Sequence, residues 1–178
     1  MKKIGFLGLG VMGLPMALNV LKKSGYPVLG FDVAQARLDQ FAAAGGETTS
    51  DPVDIYKTCD VIMQMLPTHP IIINSIKQAV QYGKPGNIIL DLDSTAPDII
   101  QELYPEVEAA GMHLLDSPVS GGNPMAIAGT LAIMTGGDKA VFEEVKPLLE
   151  CMGHPVYTGG SASGSITKLV NNMVAGAY

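Results

Sequence analysis

No cluster of lysine or arginine occurs in this chain, and its 11 basic residues are outnumbered by 17 acidic ones, for a net charge of -6. A nucleic-acid partner, which needs a basic face to meet phosphates, is therefore not expected. No apolar run reaches the ~18 residues of a membrane span. Met-Lys-Lys followed by IGFLGLG has the flavour of a secretory leader, but glycines and Pro15 break the run and no small-residue cleavage site follows. Cys59 and Cys151 lack Cys-x-x-Cys spacing, and His69, His113 and His154 are scattered without ligand spacing. The cysteines read as buried thiols in a reducing compartment, so a cytoplasmic protein without a metal site is expected. A nucleophile elbow and a P-loop lysine are also missing. Charged residues are scarce at 16% while 47% are hydrophobic, which excludes disorder and implies that part of the surface is covered.

What the chain has in excess is glycine, 21 of 178 residues, without the period of collagen. Short apolar, β-branched runs alternate with amphipathic stretches, the pattern of a parallel sheet with crossover helices. Strands are expected at Ile4 to Leu7, Val28 to Phe31, Val61 to Met65, Ile88 to Leu92, His113 to Asp116, Leu131 to Met134 and Pro155 to Thr158. Pro15, Pro52, Pro70 and Pro97 each stand in the first turn of a helix pattern, beside a possible capping side chain. A further helix is expected from about Asp138 to Leu149. The fold class is α/β: a Rossmann-type, doubly wound, mostly parallel sheet, followed by the start of a long helix.

Gly8-Leu9-Gly10-Val11-Met12-Gly13 directly follows the first strand and opens a helix. Such glycines serve a tight turn, backbone approach to a pyrophosphate and close helix packing, and the helix N-terminus faces the phosphates. Asp32 ends the next strand 19 residues beyond Gly13, where a carboxylate accepts from a ribose 2′-OH and repels a 2′-phosphate. The alternative for Asp32 is a cap on the helix from Gln35 to Ala43. NAD is the expected cofactor, with Arg37 leaving some room for NADP. The loops Leu66-Pro67-Thr68 and Ser94-Thr95 follow strands and should face a ligand at the carboxyl edge of the sheet, or simply cap the next helices. Ser120 beside Gly121 and Gly122 can offer donors to a carboxylate, or form a plain turn. On the last helix Lys168, Asn171 and Asn172 share a face. Burial lowers a lysine pKa readily, which suits proton transfer.

The strings GFLGLGVMGLPMALNV, MLPT, DSTAPD, DSPVSGGNPMAIAGTLAIMTGG and GSITKLVNNM together resemble the β-hydroxyacid dehydrogenase family, which includes 3-hydroxyisobutyrate dehydrogenase and tartronate semialdehyde reductase. The resemblance implies that Gly8 to Gly13 and Asp32 hold the dinucleotide and that Leu66, Pro67 and Thr95 line its nicotinamide side. It implies that Ser120, Gly121 and Gly122 take the substrate carboxylate, that Lys168 is the catalytic lysine, and that Asn172 orients substrate and lysine. Related 6-phosphogluconate dehydrogenases carry histidine where Asn171 stands, which argues against a decarboxylating sugar-phosphate enzyme. By resemblance, residues 1–163 are the dinucleotide domain, and residues 164–178 begin the helix leading to an all-helical domain that closes the cleft and builds a homo-oligomer. The expected partner is a small carboxylate substrate. The competing readings are a non-catalytic NAD-binding module and an inactive fragment of the dehydrogenase.

Overall fold

The computed structural model describes residues 2–176. Its first unit is β1 (Ile4–Leu7), α1 (Gly13–Lys23) and β2 (Val28–Phe31), followed by α2 (Gln35–Ala43) and a two-residue strand, β3 (Glu47–Thr48). The pattern repeats through α3 (Pro52–Thr58), β4 (Val61–Gln64), α4 (His69–Tyr82), β5 (Ile88–Asp91), α5 (Pro97–Ala109) and β6 (His113–Asp116). There follow β7 (Val119–Ser120), α6 (Gly122–Ala128), β8 (Leu131–Gly136), α7 (Lys139–Glu150), β9 (Gly153–Gly159) and α8 (Ser163–Gly176). The sheet order is β3-β2-β1-β4-β5-β6-β8-β7, with β9 paired to β8. Strands β1 to β6 are parallel to one another, β8 runs antiparallel to β6 and β7, and β9 is parallel to β8.

The strands read as continuous apolar runs because both faces of the sheet are covered. Alternate residues feed two cores: Ile4, Phe6, Val61, Met63 and Leu90 pack on one side, while Leu7, Ile62, Ile89 and Leu114 pack on the other. The first core is closed by Met16 and Val20 of α1, Phe41 of α2 and Val145 of α7, the second by Ile55 of α3, Ile76 of α4 and Ile100 of α5.

Several local expectations are corrected. Of the helices beginning near proline, only α3 has a side-chain cap, Asp51 accepting from Val53 N–H at 2.9 Å. The N-cap of α5 is Ala96, and Thr95, the adjacent hydroxyl, is buried beneath it; Thr68 at α4 makes no capping bond. β7 and α6 form where Pro118, Gly121 and Gly122 suggested a turn. Pro105 and Pro147 lie inside helices, on exposed faces where water can serve the carbonyls they leave free. The last helix begins at Ser163, and its expected extension to Tyr178 lies outside the described residues. No helix among the described residues is long and apolar enough to cross a membrane.

The α3 cap gives a direct check. Asp51→Ala is expected to cost about 1 kcal/mol, within the usual range of about 0.5 to 2 for a lost cap, in a denaturant unfolding curve with unchanged slope.

Candidate functional site

The carboxyl ends of the parallel strands form one aligned row. Phe31 pairs with Leu7, Leu7 with Gln64, Gln64 with Asp91 and Asp91 with Asp116. The loops leaving this row carry the candidate residues, as expected for ligands at the carboxyl edge of an α/β sheet.

Gly8 leaves β1 at φ +89°, a conformation that favours glycine, and its amide donates to Phe31 C=O at 2.9 Å. A methyl group on Gly13 would overlap the Gly8 carbonyl, so this glycine lets α1 pack against the turn that precedes it. At Gly10 nothing lies within 4 Å of where a Cβ would sit, so this backbone is open to close approach. Beyond β2, Asp32 accepts from Leu9 N–H at 2.7 Å through one oxygen and from Ala34 N–H at 2.8 Å through the other. The carboxylate thus ties the glycine loop to the end of β2, and the N-cap of α2 is Ala34 rather than Asp32. A cleft of about 460 Å³ is lined by Gly8, Gly10, Met12, Asp32, Leu66 and Pro67, among others. An open backbone approach at Gly10 and an acid at the other end of an apolar cleft fit a dinucleotide. Leu9 lies beneath this loop, fully buried, while Val11 is exposed on the cleft wall. Thr95 is not part of that wall, being buried with its hydroxyl beside Asp91.

The second half of the site comes from β6, β7 and α8. Asp116 is buried and accepts from Ala162 N–H at 3.0 Å and Ser165 N–H at 2.7 Å, fastening the first turn of α8 to the end of β6. Burial pushes its carboxyl up to about 6 despite those donors. Two turns later, Asn171 Nδ2 donates to Ser120 Oγ at 3.2 Å. Lys168 stands three residues from each anchored position, so α8 is held on both sides of it. This lysine is 9% exposed, and burial lowers its pKa from the ordinary lysine value. Asn172, which follows Asn171, is exposed. Gly121 and Gly122 have φ of +135° and +68°, conformations that would strain a larger residue. Asn123 Nδ2, from the same segment, donates to Val11 C=O at 2.6 Å. The Ser120–Gly122 segment and the glycine loop after β1 are therefore directly joined.

Asp93, Asp116 and Asn123 are structural contributors that no motif marks, while Asn171, expected on the lysine's face of the last helix, finds its partner in Ser120. Asp91 and Asp93 had a signal, since carboxylates at and just beyond the end of an otherwise apolar strand must find partners when buried. Burial first, and then the charge of Asp91, push Asp93 up to about 9, while burial also raises Asp91.

Residues 3–160 match the family described as the NAD binding domain of 6-phosphogluconate dehydrogenase. The chain is 36% identical to a 2-(hydroxymethyl)glutarate dehydrogenase of Eubacterium barkeri, covering 98% of this chain and 59% of that protein. It is 38% identical to the human mitochondrial 3-hydroxyisobutyrate dehydrogenase, over 96% of this chain and 52% of that one. Among solved structures, a 3-hydroxyisobutyrate dehydrogenase of Mycobacterium tuberculosis with L-serine superposes at a TM-score of 0.93 and 34% identity, covering 98% of this chain and 60% of the other. The chain thus spans little more than half the length of these relatives.

Proposed function

This chain belongs to the family of the NAD binding domain of 6-phosphogluconate dehydrogenase, and on that premise we propose that it is the cofactor-binding part of an NAD-dependent oxidoreductase interconverting a small 3-hydroxy acid and its 3-oxo acid. The substrate is of the 3-hydroxyisobutyrate or tartronate semialdehyde type. The observation that carries this reading is Lys168, buried and bracketed by the Asp116 and Ser120 contacts of α8.

In this reading Gly8 to Gly13 and Asp32 hold the dinucleotide, with Leu66 and Pro67 on its nicotinamide side, while Thr95, buried away from the cleft, stands beside Asp91. Bound in the cleft, NAD+ would supply the hydride acceptor for oxidation of the alcohol, and NADH the hydride donor for reduction of the carbonyl. Ser120, Gly121 and Gly122 bind the substrate carboxylate, a donor-rich loop meeting an anion. Lys168 Nζ, as the neutral amine, accepts the hydroxyl proton during oxidation, and as the ammonium it donates that proton to the oxygen during reduction. The lowered pKa enlarges the neutral fraction available as base. Asn172 orients substrate and lysine, and Asn171 supports Ser120.

The proposal extends to organisation. Residues 1–163 act as the dinucleotide domain of a cytoplasmic protein, and residues 164–178 lead into an all-helical domain through which a homo-oligomer forms. The exposed Ile166, Leu169, Val170 and Met173 of α8 support this, because a contiguous apolar stripe marks an interaction surface.

The test is NADH oxidation with a panel of 3-oxo acids and their amides, alongside a direct NADH titration. Consumption with the acids and not the amides is expected. NADH binding without oxidation of any of them would refute catalysis by this chain and leave the module reading.

A further inference from the structure

We propose that Asp93, although outside the cleft, is a positioning residue for the dinucleotide site: paired with Asp91 beneath the sheet edge, it holds the Leu66–Pro67 wall of the cleft through the Leu66 backbone amide. This rests on the cofactor assignment and not on the identity of the substrate.

Three observations carry it. Leu66 N–H donates to both oxygens of Asp93, at 2.8 and 3.0 Å, and Leu66 and Pro67 line the cleft. Asp93 is 3% exposed and Asp91 fully buried, and among the described residues neither meets a cation. Gln64 Nε2 donates to one oxygen of Asp91 at 2.9 Å, the other, Oδ2, is buried, and the Thr95 hydroxyl and Asp93 lie beside this carboxyl.

A buried carboxylate oxygen with a second carboxyl as its neighbour is satisfied by a proton held between the two. The pair therefore carries one negative charge and titrates as a unit. One carboxyl then donates to the other while Asp93 still accepts from Leu66. Of the groups around it, Asp91 is the one whose charge acts on Asp93; Gln64 on β4 and Thr95 are neutral, and Asp116, in register on β6, is occupied by α8.

The sign of the pH effect follows. The folded chain keeps a proton that the unfolded chain releases in the ordinary carboxylate range. This contribution to stability is complete at acid pH, declines as pH rises, and is gone above about 9. There both carboxyls ionise, repel, and release the wall.

Asparagine at position 93 reproduces the proton-sharing state, with Nδ2–H toward Asp91 and Oδ1 toward Leu66. Asp93→Asn is expected to bind NADH within about twofold of the parent at neutral pH, and Asp93→Ala about tenfold more weakly, the usual size of a buried hydrogen bond to a charged group. The parent is expected to lose NADH affinity above about pH 9, where Asp93→Asn does not. Slow exchange of the Leu66 amide in the ligand-free chain, read by NMR, should persist in Asp93→Asn and vanish in Asp93→Ala. Identical pH profiles for parent and Asp93→Asn, or a protected Leu66 amide in Asp93→Ala, would overturn the proposal. Loss of Leu66 protection in Asp93→Ala, in a parent that binds no NADH, would instead uphold the latch and refute the cofactor assignment.

Discussion

Lys168→Ala is expected to lower turnover by a factor of roughly 10² to 10⁴, the usual contribution of a positioned general acid or base, while NADH affinity stays within about twofold. The asymmetry follows from location. The cleft is lined by the β1, β2 and β4 loops, and Lys168 stands on α8, fastened beside β6 and β7. The loss should appear in kcat, since the lysine matters most when charge develops on the reacting oxygen. Full turnover in this variant would remove Lys168 from the chemistry. The pH dependence adds a second reading of the same residue. Because burial lowers its pKa, the rise in oxidation rate with pH should come earlier than for an ordinary lysine.

Gly13→Ala is expected to abolish NADH binding and to cost about 3 kcal/mol or more of stability, at the upper end of overpacking penalties. The added methyl overlaps the Gly8 carbonyl, which is backbone and cannot rotate away, so either the turn or the start of α1 must move. Gly10→Ala is the informative companion. Nothing surrounds the new methyl in the free protein, so stability should hold within about 0.5 kcal/mol, as for ordinary surface changes. Binding should still weaken, because the methyl stands where the pyrophosphate must approach. Equal binding defects with equal stability losses would show that the loop serves the fold alone.

The two variants lie in the part of the chain that sequence makes most legible. β1, the glycine turn, α1 and Asp32 are read from a local motif whose spacing is imposed by one ligand. The order of strands and helices is legible from apolar periodicity alone. Less legible is everything decided at a distance. β7 exists because Val119 and Ser120 pair with Ile133 and Ala132, twelve or more residues away, and Pro118 with two glycines hid that pairing as a turn. Helical spacing places both Asn171 and Asn172 near Lys168, and only the contact with Ser120 separates them. Asp116 reads as the last residue of a strand, and its partners are amides 46 and 49 positions later. Asp93 offers the same lesson: its charge could be noticed, but not that it grips Leu66 N–H.

Asp32 follows β2, whereas the Ser120 loop continues from β6, and four interstrand spacings of about 4.8 Å separate those strands, roughly 19 Å. Distance alone would make changes at the two ends of this row of strands additive, but Asp32 and Asn123 both grip the glycine loop, through Leu9 N–H and Val11 C=O, so the two ends are expected to couple. A lineage or an engineer that alters one end of the row must therefore retune the other through residues 9–11.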